Sequence, residues 1–304
     1  MTSQTYFKTD RCKVWKHFGK NEEQVNAEVN IIKQWFQTQK HFPETPNDVM
    51  IQYYLTICHF SIERTKQCLD MYYSIRTLFP EYFKLINPSS HHMTATYKTV
   101  TICPLPSLTE NLERIFFVKF HDQNSEMFNM NKIIAAACVL PHEVRLFEDL
   151  SVKVKVVVDL IDIKLGYMPK LTPKDFRNMG FLLEELWNRQ LKEIHCFNMP
   201  KYAEKLIYLS RAFLNKELRE KIFVHNSLED LYKVIPKEIL PKNYGGEEKE
   251  LEELNNEWLN KLKEYGDRFE KLEYLRIDNS LRIPYGLNCD ILGYYGNYMK
   301  TDGN

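Results

Sequence analysis

The run VKVKVVVDLI (152–161) constrains this chain more than any other stretch. It opens by alternating apolar and basic residues and closes apolar on both faces. A strand that is apolar on both sides belongs in the middle of a sheet covered by helices. ERIFFVKFHD (113–122), EIHCFN (193–198) and KIFVH (221–225) are further strand-like runs. Amphipathic stretches of helical length lie between them. Residues 130–149 place Ile133, Ala136, Ala137, Leu140, Val144 and Phe147 on one side. Thr172-Pro173 opens a second helix with Phe176, Met179, Leu182, Leu183 and Leu186, proline being tolerated in a first turn. Residues 201–214 make a third. Strands alternating with such helices predict an α/β fold with a mostly parallel sheet and right-handed crossovers.

The segment before these strands reads as all helical. NEEQVNAEVNIIKQWFQTQ (21–39) puts Val25, Val29, Ile32 and Phe36 at helical spacing behind an acidic start. Pro43 and Pro46 end it, Asn47 or Asp48 caps the next helix, and a third runs from Ser61 to the breaker FPEYF (79–83). Residues 87–108, with Pro88, Pro104 and Pro106, read as a connection, and His91-His92 as part of a polar loop. After Gly245 the chain turns charged, yet Leu251, Leu254, Trp258, Leu262 and Phe269 form a helical apolar stripe. The expected organisation is a helical domain over 1–90, an α/β domain over 91–246 and a charged helical extension over 247–304.

Composition narrows the function. Lys+Arg and Asp+Glu are both 41 in 304 residues. Zero net charge speaks against a nucleic-acid binder held by bulk positive charge. Hydrophobic residues are 44%, with 18 Phe and 18 Tyr, enough for a large interior with room left in it. Seven cysteines, scattered and without CxxC, suit reduced core thiols in the cytosol. The first residues show no apolar signal-peptide region, and no run nears the ~18 apolar residues of a membrane span. The expected location is cytoplasmic.

Catalytic motifs are missing: no GxGxxG after a strand, no GxxxxGK[ST], no GxSxG and no HExxH. His91-His92 has no further ligands at metal-binding offsets. Asp159, Asp162 and His195 are the only candidates for catalysis. Acids closing a parallel strand are ordinary turn-formers, and a lone strand histidine is ordinarily a satisfied core residue. The chain therefore reads as a non-enzyme with neither metal nor cofactor.

Four stretches carry a resemblance: LTPKDF (171–176), EIHCFNMP (193–200), AFLNKELREKIFVHNS (212–227) and IPKEILPKNYGG (235–246). In this order they resemble the CRAL-TRIO lipid-carrier family, and within it the tocopherol-transfer branch. Residues 47–83 are similar to that family's N-terminal helical domain, and the charged tail is like that of insect members. The resemblance implies a lipid-binding domain whose sheet floors a closed apolar pocket, with residues 201–214 as a mobile gate. It implies a pocket lined by Ile133, Ala136 and Leu140, by Val154, Val156 and Val158, and by Ile163, Leu171, Met179, Leu182, Leu183, Leu191 and Ile194. Ala203, Leu206, Ile207 and Ser210 of the gate complete it. The implied guest is one small hydrophobic molecule (tocopherol-, retinoid-, carotenoid- or terpenoid-like), exchanged during transient contact with membranes, possibly those rich in anionic lipids. The other reading is an interaction protein that keeps the fold with its pocket filled.

The resemblance also implies a phosphoinositide and membrane patch. Of its positions Lys221 matches, with Lys192 and Arg219 nearby. Cys58, Gln190 and Glu217 stand at the others, fewer convergent donors than a phosphate takes. Further departures are YLTICHFS (54–61), where Thr56 and Cys58 replace arginines, DLIDIKLG without the usual glycine, and Val158 in place of an aromatic.

Overall fold

The computed structural model describes residues 6–121, 128–163, 165–187 and 190–282. Four helices come first: α1 (Arg11–His17), α2 (Glu22–Thr38), α3 (Asp48–Ile57) and α4 (Ile62–Leu78). Each starts at the residue chemistry selects. Asp10, Asn21, Asn47 and Ser61 accept from backbone N–H groups of the first turn, and Asn21 with Gln24 forms a reciprocal capping box.

The connection expected over 87–108 is instead ordered. Ser90 caps a helix, α5 (His91–Thr99), so His91 and His92 begin a helix rather than sit in a loop. Strand β1 (Val100–Leu108) follows despite Pro104 and Pro106. A proline forfeits a ladder hydrogen bond, which an edge strand tolerates. β1 is such an edge, pairing antiparallel with β2 (Glu113–Phe120) alone among the strands.

The remaining strands are β3 (Lys153–Asp159), β4 (Leu191–Phe197) and β5 (Ile222–Val224). The sheet order is β1-β2-β3-β4-β5, parallel from β2 onward. The β2–β3 connection is α6 (Met130–Ile134), a π-helical turn (Ala135–Val139) and α7 (Leu140–Glu148). Helix α8 (Pro173–Phe181), extended by a second π-turn (Leu182–Leu186), joins β3 to β4; α9 (Glu204–Phe213) and α10 (Lys216–Glu220) join β4 to β5. Then come α11 (Leu228–Leu231), α12 (Leu251–Glu264) and α13 (Gly266–Leu272). Among the described residues no helix is long and apolar enough to cross a membrane.

Successive strand residues point to opposite faces, so each face has its own partners. On one face Phe117 meets Tyr244 and Phe197, while Trp258 of α12 packs against Tyr6 and Phe7. The other face carries the cavity described below. The sheet is fastened to the helices around it by buried charge. Arg114 of β2 donates to Asp149 at 2.8 and 3.3 Å, and Arg145 of α7 donates to the same carboxylate at 3.1 Å. Ser151 Oγ adds a 2.7 Å bond. Gln190 accepts from Arg145 at 3.1 Å and from Tyr53 of α3 at 2.9 Å, tying in the first helices. A second cluster joins Arg76, Glu143, Tyr72, Arg268 and Glu44.

Among the described residues no disulfide forms, and the Cys58 and Cys68 sulfurs stand 3.5 Å apart; Cys289 lies outside the described residues.

The YGG string has a steric explanation. Gly245 sits at φ +71°, and a Cβ on Gly246 would run into the Leu240 carbonyl. Because rigid backbone must move, G246A is expected to lose about 3 kcal/mol, read as a shifted urea midpoint. A variant as stable as the parent would show that this turn relaxes freely.

Candidate ligand-binding site

The sheet floors a cavity of about 240 Å³ with rows of side chains set by its register. Phe116, Val156, Ile194 and Ile222 stand side by side on β2, β3, β4 and β5. The next row is Ile102, Val118, Val158 and Cys196, and Val100 pairs with Phe120 beyond it. All border the cavity.

Two helical layers wall it. Met130, Ile133, Ala137 and Cys138 come from the β2–β3 connection, and Phe176, Met179, Leu183 and Trp187 from α8 and its extension. Leu160, Ile163, Tyr167 and Leu171 close the end above β3, with Phe128 packed on Tyr167. Ile207 of α9, Leu214 and Leu218 form the remaining side. Contacts among the described residues hold α9 and its approach to the body. Tyr202 donates to the Ile163 carbonyl at 2.6 Å, Arg211 to the Ile222 carbonyl at 2.7 Å, and Phe213 stacks on Phe176.

Of the residues expected to line a pocket, Ile133, Val156, Val158, Ile163, Leu171, Met179, Leu183, Ile194 and Ile207 border this cavity. Ala136, Leu140, Val154, Leu182, Leu191 and Ala203 are buried but are absent from its lining. The reasons are geometric. A π-turn takes more residues per revolution than an α-turn, so the residues returning to Ile133's face are Ala137 and Cys138, not Ala136 and Leu140. Val154 and Leu191 are register partners one row before the floor begins. The side chains of Leu206 and Ser210 lie outside the described residues.

The sequence reading takes 113–122 as a strand but places no residue of β1 or β2 in the expected pocket lining, although the alternation Phe116, Val118, Phe120 holds the signal. It also omits Tyr167, four residues from both Ile163 and Leu171, and Trp187, four residues after Leu183, although that spacing is itself the signal.

The candidate acids and histidine stand elsewhere. Asp159 accepts from Tyr244 at 2.8 Å, from Asn198 at 3.1 Å and from the Ile161 N–H at 3.1 Å, a satisfied turn. Asp162 follows in the same turn. His195 lies 3.0 Å from His225 and 3.2 Å from Glu193; burial lowers its pKa against the pull of that carboxylate. None of the three borders the cavity. Among the described residues no group of three or more His, Cys, Asp or Glu is arranged to hold a metal.

The basic patch is paired off rather than convergent. Lys192 donates to Glu113 at 2.5 Å and Lys221 to Glu217 at 2.8 Å, while Arg219 is exposed on α10. Gln190 is buried in the Asp149 cluster, unavailable to a headgroup.

A parallel sheet flooring an apolar hollow, walled by crossover helices beside a helical N-terminal region, defines a class of hydrophobic-ligand domain. Residues 98–246 match the CRAL/TRIO domain and residues 21–93 the Pinta-like, UBA domain. The chain carries a CRAL/TRIO domain over residues 98–246.

It is similar to "Alpha-tocopherol transfer protein-like" of Homo sapiens, 22% identical over 227 residues, covering 68% of this chain and 60% of that protein. "Clavesin-2" of Rattus norvegicus is 33% identical over 91 residues, 30% of this chain and 28% of that protein. "Clavesin-1" of Rattus norvegicus is 26% identical over 210 residues, 66% and 57% respectively. The chain thus spans about 60% of the length of the first of these relatives. The "Crystal structure of Sfh5" superposes with a TM-score of 0.50 at 13% identity, over 81% of this chain and 92% of that one, a likeness of fold alone.

Proposed function

We propose that this protein binds one small hydrophobic molecule in the sheet-floored cavity and carries it between membranes through the cytoplasm. The observation that supports this most is the cavity itself: side chains from three walls and the floor converge and still leave about 240 Å³ between them. A scaffold with a filled pocket has no use for such a space. At ~0.3 kcal/mol per non-hydrogen atom, an isoprenoid guest of ~30 atoms gains roughly 9 kcal/mol, or sub-micromolar affinity. The tocopherol-, retinoid-, carotenoid- and terpenoid-like classes all fit that arithmetic. Asp159 and His195 are occupied by protein partners away from the cavity, which favours carriage over chemistry.

Exchange requires an opening, and α9 is the wall we assign to it. Its surroundings suit a membrane surface. Tyr208 is 75% exposed, and Ile161 and Leu165 are more than half exposed. Lys201 and Lys205 are exposed on the same segment. A basic residue near an anionic surface is worth ~1 kcal/mol. Lys205→Glu is therefore expected to slow transfer to anionic vesicles about fivefold and leave transfer to neutral ones unchanged, as read by a fluorescent-ligand assay. An unchanged anionic rate would remove Lys205 from the membrane-facing set.

Mass spectrometry of an organic extract of the purified protein tests the main reading. One hydrophobic compound near one equivalent is the expected result. A clean extract, together with no protection of added fluorescent tocopherol or retinoid, would reject it.

A further inference from the structure

We infer that the cavity selects a hydrocarbon guest, or the wholly hydrocarbon part of a terpene-like one, and discriminates against molecules that bury a hydroxyl, carbonyl or carboxyl group there. This rests on the carrier reading above and narrows it.

The argument is an accounting of polar atoms. Methionine thioethers aside, only four described lining residues carry a polar side-chain atom: Tyr167, Trp187, Cys138 and Cys196. The Trp187 indole N–H donates to the Cys138 carbonyl at 2.8 Å, inside the π-turn where the helical ladder is disturbed. Tyr167 donates its hydroxyl proton to the His121 carbonyl at 3.1 Å. The two thiols are buried, and burial pushes both up to about 12, so they stay neutral and are weak donors. The floor residues lie in ladder-paired strands whose backbone groups already bond across the sheet. No lysine, arginine or histidine borders the cavity among the described residues. A guest bringing an oxygen into this lining gives up its water and receives no replacement. A guest without one loses nothing.

The test uses the full chain, stripped of bound lipid, against neutral phosphatidylcholine vesicles. The probes are two matched pairs: farnesene with farnesol, and squalene with 2,3-oxidosqualene. In each pair the hydrocarbon is expected to partition from vesicle to protein at least tenfold more strongly, the factor that 1.4 kcal/mol gives. Parity, or preference for the oxygenated member, overturns the inference and leaves the carrier reading standing. If no member of either pair leaves the vesicles, the carrier reading fails and takes the inference with it.

One variant guards the interpretation. Val158→Thr places a hydroxyl on the floor at nearly constant shape and is expected to narrow the ratio severalfold; an unmoved ratio would count against the lining as its source and overturn the inference.

Discussion

Val158→Trp is expected to expel the hydrophobic guest while leaving the protein folded. Val158 lies on the central strand β3, in the row with Ile102, Val118 and Cys196, and its side chain faces the cavity. An indole there grows into space rather than into a neighbour. In a filled core such overpacking costs about 1–3 kcal/mol; here the hollow absorbs much of it. The same volume is lost to the guest, and the flanking strands cannot retreat without breaking their ladders. We expect the compound recovered by organic extraction to fall at least a hundredfold, with the melting temperature lowered by only a few degrees. Full retention of the guest would mean that it binds elsewhere. A variant that unfolds would mean that the cavity is tighter than its volume indicates.

Asp149→Asn is expected to be the most destabilising of the conservative substitutions. The carboxylate sits fully buried between the Arg114 and Arg145 guanidiniums. Burial alone would raise its pKa, but the two arginines and the bonds from Arg114 and Ser151 outweigh that and hold it well below the usual carboxylate range. Both arginines are fully buried, so a neutral amide leaves two guanidinium charges against none. Breaking a buried pair in this way costs about 3–5 kcal/mol.

The linkage fixes the pH dependence. The folded-state pKa is depressed, so the unfolded chain binds the proton more readily in acid. The stabilisation from this carboxylate is fully present above its unfolded pKa, near 4, and fades as the pH falls toward the folded one. Urea titrations should therefore show the full deficit of Asp149→Asn at pH 7 and a smaller one below pH 4. A deficit constant with pH would point to lost packing instead of lost charge.

Much of the fold was legible because its signals are local. The doubly apolar end of β3 announced a covered central strand, and the helical spacings of 21–39, 130–149 and 172–186 follow from the period of 3.6 alone. The resemblance carried by EIHCFNMP and YGG placed the family. Strand β1 was not legible, since Pro104 and Pro106 argue against a strand until its position at the edge is known. The candidate site was legible by half. Ile133, Val156, Val158, Met179 and Ile207 border the cavity, whereas Leu140, Val154 and Leu191 are as apolar and face packed protein.

By itself the sequence determined which faces of which elements must leave water, because an apolar side chain has the same reason to do so wherever it ends up. Only the tertiary structure decided whether the opposing surface fills the space or stops short of it. That depends on register, which brings Val156 level with Phe116 and Ile194, and on π-turns that rotate Ala137 and Cys138 into the place of Ala136. Core and cavity wall satisfy the same hydrophobic demand, and they differ only in what lies a few ångströms beyond the last methyl group.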